Sequence, residues 1–202
     1  ESGWGKAVGA RRTVVRATLK TLMAKGLIES RPKIGSRVLP RSKWNILDRD
    51  VLEWHHAAVD RHAFLQSTQE ARRLVEPGVA LLAAQKRTPQ QLIRLQDAFA
   101  GMKKAKTVAE TVSADVEFHE ALMASANNEL LLPFGIILEK ALGNLFDFTT
   151  NRNPTPKIAI KLHERILLAV AASDGSGASK AMQALLSDTD ELIAKPTAKK
   201  RK

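Results

Sequence analysis

From Phe64 to Ala194 the apolar residues recur at steps of three and four, interrupted only by short polar or proline-bearing breaks. An α-helix is the regular structure with that period, so most of the chain is confined to helices packed on helices. "FLQSTQEARRLVEPGVALLAAQK" is one long periodic segment, and its Pro77 is expected to kink or split it, because proline lacks the amide proton that a helix interior needs. "TPQQLIRLQDAFAGMKK" opens with a threonine cap and a proline at the first helical position. "TVAETVSADVEFHEALMASA" opens with a capping box, Thr107 followed three residues later by Glu110. Further helices are expected over about 128–150, 156–173 and 177–194, separated by "NRNPTP" and "SDGSG". No internal repeat is present. The body reads as an all-α bundle.

The first 48 residues differ in both pattern and charge. "RRTVVRATLKTLMAKGLIES" sets Val15, Leu19 and Leu22 at helical spacing, with Gly26 as a stop. "LIESRPKIGSRVL" then reads as two short strands joined by a turn around Lys33 to Gly35. "LPRSKWNILD", Leu39 to Asp48, breaks the periodicity with a proline and a polar cluster and reads as a linker. The expected division is a small module over 1–38, the linker over 39–48, a helical domain over 49–194 and a basic tail over 195–202. The net charge is +11, and residues 1–48 hold 11 Lys and Arg against 3 acids. Residues 191–202 hold 5 basic groups against Glu191, which leaves 49–190 at a net −1. Charge gathered in this way suits phosphate binding, although the tail "AKPTAKKRK" reads rather as solvated surface. With no cysteine, disulfides and thiolate metal sites are excluded. No apolar run approaches the roughly 20 residues that cross a bilayer, and the N-terminus has no signal-peptide pattern, so the chain reads as cytoplasmic.

Within the helical body, Val108, Val112, Asp115, His119, Leu122 and Ala126 fall on one face of a helix, so an acid and an imidazole share an apolar stripe. A second stripe, Ala159, His163, Ile166 and Val170, also carries a histidine. Burying a carboxylate costs several kcal/mol unless it is paired or binds a metal. Two readings satisfy that requirement. Asp115 and His119 form an i,i+4 ion pair with His163 a satisfied core histidine, or all three hold a divalent cation, for which imidazole and carboxylate suit Zn, Mn, Fe or Ni. "HEALM" and "HERIL" each begin like the zinc-protease motif H-E-x-x-H, but Met123 and Leu167 stand where the second histidine belongs. The chain also lacks a nucleophile elbow, a P-loop and a glycine-rich dinucleotide fingerprint. It does not read as an enzyme, and a metal-dependent hydrolase is the minor alternative.

Taken together, "GARRTVVRATLKTLMAKGLIESRPKIGSRVL", "EARRLVEP", "ADVEFHEALMASANN" and "LHERILLAV" resemble the GntR family of transcription regulators, in its FadR-type branch with an all-helical FCD ligand-binding domain. "WNILDRDVLEW" is similar to the corresponding segment of regulators of sugar-acid catabolism. The resemblance covers nearly the whole chain, its segments standing in the family's order and spacing. It implies a winged helix-turn-helix, incomplete at its N-terminus, followed by the FCD bundle. Its recognition helix and wing would carry Arg11, Arg12, Thr13, Arg16, Arg31 and Lys33 to DNA.

The resemblance further implies that Asp115, His119 and His163 are metal ligands, zinc first, with nickel, manganese or iron as alternatives. The family's fourth ligand is absent, because Leu185 stands at that position. Arg72 is expected to meet an effector carboxylate, with Asn128 and Asn144 as candidates for hydroxyl contacts. The implied protein is a homodimeric regulator, a repressor by analogy, that answers a small carboxylate such as galactonate or gluconate. Two departures put DNA binding in question. The family's first helix precedes the segment where this chain starts, and Arg11 occupies the place of a capping serine. A ligand-binding remnant that no longer binds DNA is the corresponding alternative.

Overall fold

A computed structural model describes residues 9–31, 34–135 and 157–194. Residues 1–58 and 59–202 form two compact units. In the first, α1 (Arg12–Ala24) leads into an antiparallel hairpin of β1 (Ile28–Arg31) and β2 (Gly35–Val38), with Ile28 opposite Val38 and Arg31 opposite Gly35. Arg11 at the start of α1 makes no side-chain cap, as the missing serine implies. The other end is closed firmly. Gly26 has φ +74°, its amide donates to the Met23 carbonyl, and the Leu27 amide donates to that of Leu22, which together make a Schellman stop. A Cβ at Gly26 would fall 2.5 Å from the Lys43 carbonyl oxygen, so both conformation and space require glycine.

The segment expected as a linker is bound along its length to this first unit. The Leu39 amide donates to the Leu27 carbonyl, and that of Asn45 to the Lys25 carbonyl. The Trp44 indole donates to the Leu39 carbonyl, and Lys25 pairs with Asp48 and Asp50 at 2.7 and 2.9 Å. Helix α2 (Arg49–Ala58) belongs to the same unit, so the break between units falls after residue 58 rather than at the linker.

The second unit contains α3 (Arg61–Lys86), α4 (Pro89–Lys104), α5 (Val108–Ser125), α6 (Lys157–Ala171) and α7 (Gly175–Ala194). Thr88 and Thr107 both form complete capping boxes, with Gln91 and Glu110. Pro77 does not split α3, which runs as one helix of 26 residues. Proline removes one backbone hydrogen bond, but the residues on both sides of it (Arg72, Glu76, Val79, Ala80 and Ala83) all lie on the same buried face. Helix α7 packs on α3 and α6, while α5 packs on α3 and α4. The core between them is built from Leu95, Phe118, Leu122, Ile166, Val170, Met182 and Leu186, each almost inaccessible to solvent and each stabilising by about 1.5–3 kcal/mol through burial. Of the helix expected over 128–150, a short 3-10 turn at Glu129–Leu131 and helical residues 134–135 are described, and residues 136–156 lie outside the described residues. So does the basic tail. Among the described residues, no helix is long and apolar enough to cross a membrane.

Candidate metal centre

Three helices aim polar side chains into this apolar core. The capping box fixes where α5 begins, and two turns later Asp115 and His119 point inward, one turn apart; α6 brings His163 to meet them. The stripe on α5 becomes buried only from Ala114 onward, since Val108 is half exposed. His163 Nε2 lies 3.1 Å from Asp115 Oδ1 and 3.4 Å from His119 Nε2, while His119 Nε2 is 4.0 Å from Asp115 Oδ2. One ligand atom from each residue lies within 4.8 Å of the others, and all three side chains are buried. Phe118 walls the cluster, its ring 5.0 Å from His163 and 5.9 Å from His119 in edge-on contacts.

The hydrogen-bond partners on the far side of each ring decide what this cluster can hold. His163 Nδ1 stands 2.7 Å from the Ala159 carbonyl oxygen, which can only accept, so that nitrogen carries the proton. His119 Nδ1 stands 3.0 Å from Glu76 Oε2. Burial pushes the Glu76 carboxyl up, but Arg72 and then His119 outweigh it and hold the group at about 2, so it too is an acceptor. A neutral imidazole protonated at Nδ1 offers only a lone pair at Nε2. Asp115 likewise stays below its ordinary value, because burial is outweighed by the hydrogen bond and charge of His163. With both rings neutral, two lone pairs and a carboxylate converge with no donor among the described residues, whereas a protonated His163 would donate to Asp115 and lower it as described. A cation, or an extra proton, is what satisfies them. The 3.4 Å between the Nε2 atoms matches the edge of a tetrahedral site with bonds of about 2.1 Å, so the donor set fits a divalent metal.

Arg72 and two of its neighbours complete the wall on α3. Arg72 is buried, with Nε 2.5 Å and Nη2 3.4 Å from the two Glu76 oxygens and Nη1 3.4 Å from Gln69 Oε1. Gln69 in turn donates to the Leu186 carbonyl of α7 at 3.0 Å. Sequence reasoning picked out Arg72 and passed over Gln69 and Glu76. The signal was available, since Leu65, Gln69, Arg72, Glu76, Val79 and Ala83 follow the helical period and are all buried.

The remaining candidates are spread out. Asn128 caps the 3-10 turn after α5, its Oδ1 accepting from the Leu130 amide. Asn144 lies outside the described residues. Arg11, Arg12, Thr13 and Arg16 are exposed around the first turns of α1, and Arg31 is exposed on the hairpin, 3.5 Å from Glu29. Lys33 lies outside the described residues. Arg37, which the sequence reading did not single out, also pairs with Glu29. Glu120 and Glu164, which follow the two histidines as a protease base would, both face solvent.

Comparison with known proteins agrees with this architecture. Residues 68–188 match the FCD domain family. The HTH-type transcriptional regulator YieP of Escherichia coli (strain K12) is 34% identical over 190 residues, covering 93% of this chain and 81% of the relative. The galactonate operon transcriptional repressor of the same organism is 28% identical over 188 residues, covering 92% and 82%. Among solved structures, a GntR protein of Streptococcus agalactiae superposes with a TM-score of 0.62 at 19% identity, covering 93% of this chain and 85% of that one, which supports the fold. Along the chain, a small helix-and-hairpin module is followed by an all-helical bundle, the fold of the GntR structure. The chain belongs to the GntR family of transcription regulators, in the branch that carries an FCD domain. That family is one of regulators, not enzymes.

Proposed function

We propose that this protein is a transcription regulator, a repressor by analogy with the galactonate relative, whose helical body binds a sugar-acid carboxylate at a divalent metal. The observation that carries the reading is the convergence of three acceptors, Asp115, His119 and His163, beside a buried arginine. The metal is zinc, or nickel, manganese or iron, and it supplies positive charge for a ligand carboxylate and an adjacent hydroxyl. Leu185 leaves three protein ligands, so the remaining coordination positions are open to the effector. Arg72 has five N–H donors, and the contacts above use three, leaving one on each terminal nitrogen for a carboxylate. Asn128 and Asn144 are the proposed hydroxyl partners.

The N-terminal unit would dock α1 in the major groove, with Arg11, Arg12, Thr13 and Arg16 toward bases and phosphates and Arg31 and Lys33 on the backbone. It acts in the cytoplasm as a homodimer, and ligand binding changes how the two DNA-binding units engage an operator. A thermal-shift panel on metal-loaded protein tests the ligand. Galactonate or gluconate at 100 times its dissociation constant adds about 2.7 kcal/mol to stability. Arg72→Ala removes that shift even when the metal is kept saturating. Stabilisation by fatty acyl compounds, with no response to sugar acids, would overturn the ligand assignment.

A further inference from the structure

We infer that Glu76 is a positioning residue, which sets the His119 ring for metal binding and ties it to the arginine that meets the ligand. The inference rests on the proposed metal centre, but its chemistry can be read without the metal. Glu76 lies one turn after Arg72 on α3, is 2% exposed, and bridges two partners with one carboxylate. Oε1 accepts from Arg72 Nε, while Oε2 accepts from His119 Nδ1 at 3.0 Å and lies 3.4 Å from Arg72 Nη2. Both neighbours present donors, so only a carboxylate satisfies both.

The bond to His119 has two consequences. It places the ring proton on Nδ1, which leaves the Nε2 lone pair facing Asp115 and His163. It also fixes the ring plane, because the same carboxylate is held by Arg72, and Arg72 in turn by Gln69. A histidine ligand whose far nitrogen is held by a carboxylate is a stronger and better-oriented ligand, and losing that partner costs metal affinity about 10- to 100-fold. The backbone carbonyl of Ala159 performs the same task for His163. Arg72 therefore touches the ligand side and the metal side through one acid, and a change in its contacts reaches His119 without a long path.

The test is Glu76→Gln. The amide has one acceptor and one donor end. When its oxygen faces Arg72, its NH₂ faces His119 Nδ1, which must then accept, and the ring proton moves to Nε2, where the metal would sit. Metal affinity, measured by competition with a chelator, should fall about 10- to 100-fold. In metal-free protein, ¹⁵N spectra of the His119 ring should report protonation at Nδ1 in the wild type and at Nε2 in the variant, a change that a purely structural role does not produce. Arg72 loses its counter-charge in this variant, so Arg72→Met combined with Glu76→Leu supplies a second, neutral background in which His119 Nδ1 again has no carboxylate and the same loss of metal affinity is expected. Unchanged affinity in either folded variant, or a His119 proton that stays on Nδ1 in Glu76→Gln, overturns the inference. Wild-type protein that binds no zinc, nickel, manganese or iron would sink the metal centre instead, while the ring spectra still decide the role of Glu76.

Discussion

Asp115 Oδ1 lies 3.1 Å from His163 Nε2, and both atoms are acceptors once the Ala159 carbonyl has claimed the proton on the other ring nitrogen. An amide at position 115 would put a donor against that lone pair. Asp115→Asn should therefore leave the metal-free protein at least as stable as metal-free wild type, the new hydrogen bond contributing about 1 kcal/mol. It should at the same time lose metal. Thermal denaturation with and without a chelator checks both effects. The wild type should lose stability on chelation and the variant should not respond. A variant that still binds metal with wild-type affinity would remove Asp115 from the ligand set.

Phe118 is fully buried and meets both imidazoles edge-on, with Phe99 behind it at 6.4 Å. Phe118→Ala should cost about 3–5 kcal/mol, most of it from the cavity. Both rings lose a wall, so metal dissociation should also quicken. Denaturant unfolding and chelator-competition kinetics measure the two effects separately. Destabilisation without faster metal loss would mean that hydrogen bonds alone hold the rings.

The helical body was legible because its evidence is local. Capping boxes and apolar periodicity, like the Gly26 stop of the first unit, each lie within a few residues, and Asp115 and His119 share a helix face that counting reveals. That His163 joins them depends on α6 packing against the rest of the bundle, which spacing alone leaves open beside the ion-pair reading. Glu76 escaped notice because an acid four residues after an arginine reads as a surface ion pair until the helix face is known to be buried. Of the kink or split expected at Pro77, the split does not occur, for the opposite reason. The local rule for Pro77 is sound, but packing on both sides of the proline outweighs one lost hydrogen bond. Similarly, residues 39–48 have a linker's composition, while the backbone bonds that fix them to the first unit come from residues far back in the chain.

Lys25 stitches the first unit together through Asp48 and Asp50. Its hydrogen bonds to these carboxylates raise its pKa above the ordinary 10.5. The bond from Lys25, against an opposing effect of burial and with help from the Val51 and Asp50 amides, lowers that of Asp48 below 3.8. A lowered acid contributes stability that is complete above its ordinary value and lost as pH falls through the folded value. A raised lysine contributes stability that is complete below its ordinary value and lost as pH rises through the folded one. Amide hydrogen exchange in the first unit should thus show a plateau between about pH 4 and pH 10, the ordinary values of the two groups. Lys25→Met should lower that plateau and flatten its alkaline edge. An unchanged alkaline edge would show that the pair contributes nothing to folding.

Leu185, which stands where the family resemblance implies a fourth metal ligand, is buried on α7 in the same core as Phe118 and Ile166. The next residue, Leu186, accepts from Gln69, which contacts Arg72, so this turn of α7 packs against the α3 wall of the cluster. Leu185→His would place an imidazole there. Without metal, a buried ring lacking a partner should cost about 1–3 kcal/mol. With metal, the ring gains one, and retention against a chelator should improve at least about tenfold, the range over which partners of a metal site act. The sign of the stability change should therefore reverse on metal loading, which melting curves of the two forms can read directly. A variant that is destabilised equally in both forms would show that position 185 does not face the metal.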